Sequence, residues 1–401
     1  MAWLRFFGGH LKSISFSTII IFTLLASCSR QLTATPTSTT EGIRTAILRV
    51  AYSKNADPWI WIENEGSRQL VDATNIMNVA ISSDGQVVAF QREDTSELSA
   101  ISADGEDLRS LAGQEFLARE NSLVWNFDFA PGSHNVFFTT RVNEAGFLPR
   151  YDLYVVDADA AEPTPILVFG PGHGGIATFS PDGQWMSLYH AGALELARVN
   201  GNEARTIFSY PEGYEPATFG PDITWMEDSC GFSAFHVPDP VYALDQGGLW
   251  FVPVNGEPIE KVAVNSSWGI PSPDGQRVGY STQGDEAGIH IVIADGTDAT
   301  YMAAPGTTFG GWTPDSQHFM IILDTETGDS FGTARRVLLG ELGEEPSNLT
   351  DTNTADRVRW ITDEEFLFTS GAELRLQRIG EASILLDDQV YNIFDYSLIN
   401  P

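Results

Sequence analysis

One turn recurs along this chain with the same flanks each time, and that repetition constrains the fold more than any other feature. "NVAISSDGQVVAFQR" (residues 78–92), "ATFSPDGQWMSLYH" (177–190) and "SWGIPSPDGQRVGYST" (267–282) are versions of it. In Ser180-Pro181-Asp182-Gly183, proline holds φ at about −65°, as the second residue of a type I turn requires, and aspartate tolerates the next position. Glycine can take a positive φ and lead into a strand as a bulge. "QWMSLYH" then alternates in period two, the mark of a strand. "ALELARVNG" and "ARTIFSY" supply two more strands. One unit is therefore expected to be a four-stranded antiparallel meander.

The order returns six more times. "ISSDGQVVAFQ" leads to "LSAISADG", "FAPGSHNVFFTT" to "YDLYVVDAD", and "FGPDITWMED", after a long insertion, to "GLWFVPVNG". "PSPDGQRVGYST" leads to "IHIVIADG", "WTPDSQHFMIIL" to "RVLLGELG" and "WITDEEFLFTS" to "LRLQRIG". Anchored on Asp84, Gly132, Asp182, Asp222, Asp274, Asp315 and Asp363, the units are 48, 50, 40, 52, 41 and 48 residues apart. Four strands per unit at this period predict an all-β fold, a β-propeller. The ends predict how the ring closes. Ala46–Asp72 supplies three strands of a unit without its first, and "YNIFDYSL" (391–398) is a lone strand left over. Pairing them completes an eighth blade and leaves no inter-blade edge open. Seven blades is the alternative, should one degenerate unit fail to form.

These motifs resemble the WD40-like propeller repeats of the TolB type, whose pattern is a "SPDG" turn, an "IAF" strand and then "IYVMDADG". The resemblance covers nearly all the chain after residue 43. It is strong at Asp84, Asp182 and Asp274 and departs from the pattern at Gly132, Asp222, Asp315 and Asp363. It implies a fold and little more, because propellers host binding and catalysis alike.

Residues 1–27 read as a signal peptide: Arg5 and Lys12 precede the apolar "ISFSTIIIFTLLAS", too short to span a bilayer. It ends at Leu25-Ala26-Ser27-Cys28, which resembles a bacterial lipobox and implies lipidation of Cys28. An ordinary signal peptide with an accidental cysteine is the alternative. The one other cysteine is Cys230, so a lipid on Cys28 excludes an intrachain disulfide. A Cys28–Cys230 bridge would tie a flexible tail to the domain and is disfavoured. Residues 28–43, rich in Thr, Ser and Pro, read as an extended tether, and the propeller is expected over 44–401. The net charge of −32 repels nucleic acid and anionic membrane surfaces. Lysine occurs only at 12, 54 and 261, so arginine supplies nearly all the positive charge.

Catalytic signatures are missing. "GFSAF" (231–235) is not a nucleophile elbow, and there is no His-Glu-x-x-His. His173, within "FGPGHGG", reads as a loop residue rather than a ligand, and no helix follows to make a phosphate site. No cofactor is expected. Calcium at "DTETGDS" (324–330) is a weak alternative to an acidic hairpin tip, because the downstream glutamate is absent. Trp125, Trp268, Trp312 and Trp360 fall at nearly equivalent repeat positions and predict blade packing.

Excess chain lies in three connections between second and third strands, 141–150, 228–248 and 324–335, and in the blade-to-blade segment 112–122. In a propeller these all open on one face, and long loops in compact folds are usually functional or disordered. Their aromatic and basic residues are the binding candidates: Phe147, Arg150, Phe232, Phe235, His236, Tyr242, Phe331 and Arg335. The sequence thus points to a monomeric, lipid-anchored bacterial envelope protein, outside the cytoplasm. Its propeller would bind an envelope protein, peptide or glycan without catalysis. A propeller enzyme, a glycan hydrolase or lyase or a calcium-dependent esterase working in the central channel, is the second reading, and a rigid spacer the third.

Overall fold

The computed structural model describes residues 46–400 apart from 73–74, 143–149, 191, 211–220, 237–247, 263–268, 283–286, 294–297, 303–305, 326–333 and 353. The period-two runs become eight four-stranded antiparallel sheets. Seven follow the chain in order: Ile76–Ala112, Ser122–Leu167, Ile176–Ser209, Asp222–Val262, Ile270–Met302, Thr307–Asn348 and Val358–Asp388, the first to seventh blades. First strands meet at several blade junctions, Val390–Ile399 with Ile76–Ile81 and Asp222–Trp225 with Ile270–Pro271 among them, which puts them innermost around the axis. Second strands such as Trp185–His190 are buried along nearly their whole length, because blades cover them on both faces.

The eighth blade closes the ring as the ends of the sequence predict. Its order is Gly66–Gln69, Asp57–Ile62, Ile47–Lys54 and then Val390–Ile399, with Ile47 opposite Ile399 and Tyr52 opposite Phe394. The closing strand also holds its neighbours. Asp395 accepts the Ile81 N–H at 3.0 Å, the Ser397 hydroxyl donates to the Ser83 carbonyl, and the Tyr396 hydroxyl donates to the Trp360 carbonyl. On the seventh-blade side, Asp387 receives the Lys54 ammonium at 2.6 Å and the Tyr52 hydroxyl.

The recurrent turn has a recurrent chemistry. The Ser82, Ser180 and Ser272 hydroxyls donate to Asp84, Asp182 and Asp274 at 2.6–2.7 Å. Each hydroxyl also accepts the N–H five residues on, at 2.9–3.0 Å. Each aspartate in turn accepts the N–H two residues on, an Asx-turn.

The fourth unit corrects the sequence reading. Its turn is built on Asp228, not Asp222: Ser229 N–H donates to the Met226 carbonyl at 2.9 Å, and Cys230 N–H to the Asp228 carboxylate at 3.0 Å. Asp222 instead begins the first strand, Asp222–Trp225. The spacing becomes 228 − 182 = 46 and 274 − 228 = 46 residues, more even than 40 and 52. The turn escaped notice because no glycine marks it. Ser229 takes the left-handed conformation there (φ 58°), as Ser316 does in the sixth blade (φ 62°), where Gly183 and Gly275 stand elsewhere. The serines have a compensation. Their hydroxyls accept the N–H groups of Asp182 and Asp274 in the preceding blades at 3.0 and 2.9 Å.

Arginines perform a matching task at the periphery. Arg68, Arg109 and Arg205, each in the fourth, outermost strand of its blade, donate to the carbonyls of Ala103, Ala158 and Pro253 in the next blade. A planar guanidinium suits such fixed bonds better than a flexible ammonium, which gives the arginine-for-lysine bias a structural role.

The tryptophan expectation holds where it is described. Trp312 pairs with Phe319 and Trp360 with Phe366 across the first two strands, with rings 5.6 and 5.0 Å apart. Trp225, which the sequence reading overlooked, pairs with Phe232 in the same way. Trp125 lies 4.9 Å from Tyr151, and Trp268 is outside the described residues. Segment 112–122 is not the open loop expected. Its centre is the helix Gln114–Glu120, in which buried Leu117 points inward and Phe116 packs edge-on against Tyr154.

Candidate functional site

The structure separates the candidate residues. Phe232 and Phe235 are corrected: both lie in the second strand Gly231–His236 and are 0% exposed. Phe232 packs at a tilt against Trp225, their rings 4.9 Å apart, and Phe235 packs with Leu249, Val278 and Tyr280. Reading the insertion as starting at Asp228 took a core strand for loop. His236 ends that strand. Phe147, Tyr242 and Phe331, with the acidic stretch 326–330, lie outside the described residues. Arg335, exposed, is the second residue of the third strand of the sixth blade, Ala334–Glu341, opposite Asp324. Arg150 opens the third strand of the second blade and pairs with buried Asp152 at 3.0 Å.

Arg150 stands beside a built site at the junction of the second and third blades. The sequence there is "GPGHGG", and the strand Ile176–Phe179 follows it rather than a helix, so it is not a phosphate loop. The second blade pins this segment: Asp152 accepts the Gly172 N–H at 2.7 Å, the Tyr151 carbonyl accepts that of Gly174 at 2.8 Å, and the Thr139 hydroxyl donates to the Gly175 carbonyl at 2.6 Å. So held, His173 lies beside the third-blade hairpin. There His190 ends the second strand, and Glu195 lies in the third strand opposite Leu188. Period two places Leu188 and His190 on one face, so His190 and Glu195 are diagonal neighbours.

His173, His190 and Glu195 bring one ligand-type atom each within 4.8 Å of the others. The His173 and His190 rings are 5.5 Å apart, and His190 Nε2 is 3.7 Å from Glu195 Oε1. The His190 ring beside it holds the Glu195 carboxyl below its ordinary range against the opposing effect of burial, and His173 adds to this. The sequence reading noted His173 and missed its partners. His190 and Glu195 sit inside ordinary alternating strands, and only the hairpin pairing across residues 191–192 would have joined them.

The central channel carries charge without a convergent catalytic set among the described residues. Asp128, Asp222 and Asp395 lie on first or closing strands, with Arg359 3.1 Å from Asp395. Burial, with the charge of Asp395 adding to it, pushes Asp128 up to about 6, and burial alone does the same to Asp222. Water reaches Asp128 although protein surrounds it. A carboxyl raised above its unfolded value of about 3.9 holds its proton more tightly in the folded state. Folded stability therefore falls as pH rises from about 4 to about 6. Asp128→Asn is expected to melt above the parent at neutral pH and level with it near pH 4. Equal melting at both values would remove this account.

Cys28 lies outside the described residues. Cys230 stands in the fourth-blade turn, its N–H donating to the Asp228 carboxylate at 3.0 Å.

No family model and no curated protein matches the sequence. Among solved structures, the chain is similar to a eukaryotic initiation factor, at 10% identity and a TM-score of 0.52, covering 88% of this chain and 99% of that one. It is similar also to apo AztD from Citrobacter koseri, at 11% identity and a TM-score of 0.50, covering 88% and 98%. A putative TolB from Agrobacterium tumefaciens is more distant, at 14% identity and a TM-score of 0.34, covering 77% and 89%. At these identities the likeness shows the propeller fold alone.

Proposed function

We propose that this propeller is an extracytoplasmic binding module, tethered by lipid at Cys28, which presents one face to an envelope protein, peptide or glycan. One observation carries the reading. Arg150, the 170–175 segment, His190 and Glu195 are held together where second-to-third-strand and blade-to-blade connections emerge, the face on which the sequence gathers its excess chain. The partner class and the anchor come from the sequence, the anchor from the lipobox-like run ending at Cys28.

The binding reading is tested by affinity capture from host envelope extract. Residues 29–401 are compared with a variant whose segments 143–149, 237–247 and 326–333 are cut to tight turns. Loss of one specific partner from the variant is expected; identical capture by both forms would sink the reading. The anchor has its own test in the mass of the chain extracted from host membranes. The proposal requires a lipidated N-terminal cysteine. An unlipidated chain overturns it.

The channel aspartates favour one other reading, an enzyme acting on glycans along the axis. In that case Asp128→Asn would abolish a hydrolase or lyase activity detectable in the parent chain.

A further inference from the structure

We propose that His173, His190 and Glu195 form a binding site for a divalent transition metal of the zinc class, with one coordination position open on the loop-bearing face. The site requires neither an anchor nor a partner protein, so its test is independent of the function proposed above.

The geometry is poor for direct hydrogen bonding and good for a shared cation. At 3.7 Å, His190 Nε2 and Glu195 Oε1 are too far apart for a hydrogen bond. Two ligand atoms each about 2.1 Å from a tetrahedral zinc stand about 3.4 Å apart, so a small inward shift would complete that edge. The third ligand, His173, is already within the 4.8 Å cluster.

A second observation points the same way. His190 is only 6% exposed, and its Nε2 has no hydrogen-bond partner. Burying a polar nitrogen without a partner is costly, and native proteins rarely do so. This nitrogen is the one that faces Glu195. A metal between them would satisfy it.

The donor set selects the ion. Two imidazoles and one carboxylate suit zinc, cobalt, nickel or copper, whereas calcium and magnesium take oxygen ligands. Three protein ligands leave a position for water or a partner's donor, and His173 is exposed, so solvent can reach it. The scaffold is firm. Two ligands lie on one hairpin, and the third is on a segment fastened by Asp152, Tyr151 and Thr139.

Loading must move a proton. Gly192 N–H donates to His190 Nδ1 at 3.2 Å, which leaves the neutral ring's hydrogen on Nε2. Coordination at Nε2 transfers that proton to Nδ1 and gives up the Gly192 contact. Protons also compete with the metal for these ligand atoms, so affinity is expected to fall in acid.

The experiment titrates the full chain, stripped by chelator, with Zn²⁺ in a calorimeter and with Co²⁺ by visible absorbance, beside His173→Ala and Glu195→Gln. The expected result is one equivalent per chain, a visible cobalt band, and at least a tenfold loss of affinity in each variant. Mg²⁺ and Ca²⁺ should not compete. The metal-free melting of each variant is recorded as well. His173 is exposed and the glutamine is nearly isosteric, so both should melt like the parent; if one does not, the other carries the decision. Absence of saturable one-to-one binding overturns the proposal. So does equal affinity in the parent and both variants, which would mark diffuse binding to the acidic surface.

Discussion

Ending the chain at Gln389 is expected to abolish cooperative unfolding. The deletion removes the innermost strand of the closing blade and everything it holds. Phe394 is 0% exposed, and Val390 and Ser397 are 2% and 4% exposed. Losing one buried phenylalanine side chain costs about 3–5 kcal/mol, against a typical whole-domain stability of about 5–15 kcal/mol. The truncation also leaves Tyr52 without its cross-strand partner, the Ile81 N–H without Asp395 and the Trp360 carbonyl without Tyr396. Calorimetry should show a broad transition or none, with exposed apolar surface detected by dye binding. A synthetic peptide of residues 390–401, added in trans, should restore a sharp transition. A truncated chain that melts sharply within a few degrees of the parent would mean that closure contributes little.

Gly175→Ala is expected to destabilise the protein by about 3 kcal/mol or more, at the upper end of overpacking costs. A Cβ at this buried position would lie 1.9 Å from the Tyr189 carbonyl oxygen and 3.1 Å from the His190 Cα. Both obstacles are backbone, so no rotamer change relieves them. The 170–175 segment would have to lift off the third blade, carrying His173 away from His190 and Glu195. A melting temperature lower by about 5–10 °C is the expected readout. Gly170→Ala is the internal control, because its Cβ would meet only the His173 ring, at 3.9 Å, and it should change melting by less than a degree or two. Similar melting for both variants would refute the close-packing account.

The architecture was legible because its signals are local and repeated. Ser82, Ser180 and Ser272 with their aspartates write the same turn in the same letters, and the unmatched strands at 46–72 and 391–398 specify the closure. The signals failed where chemistry was conserved without the letters. Ser229 adopts a glycine conformation and uses its hydroxyl on the neighbouring blade, so in the sequence the fourth turn reads as insertion, and Phe232 and Phe235 read as surface. The candidate site was half legible. His173 stood out among its glycines, whereas Glu195 is an ordinary charge on a strand until the hairpin folds it toward His190. Periodicity reports which face a residue occupies within one sheet; it does not report what the adjacent blade places opposite.

The pairing of Ile47 with Ile399 also sets a clock. These partners are 399 − 47 = 352 residues apart, and contacts of such sequence separation form late, because the intervening loop must close before they contribute. At about 5–20 residues per second, synthesis places about 20–70 s between the two strands. Each of the other seven blades uses one contiguous stretch and can assemble soon after it is made, but the eighth has no inner strand until residue 399 has been joined. The nascent chain therefore remains an open arc throughout its production, with an unpaired strand edge at Ile47–Lys54. A factor that shields this edge should act on the growing chain and lose its hold at closure.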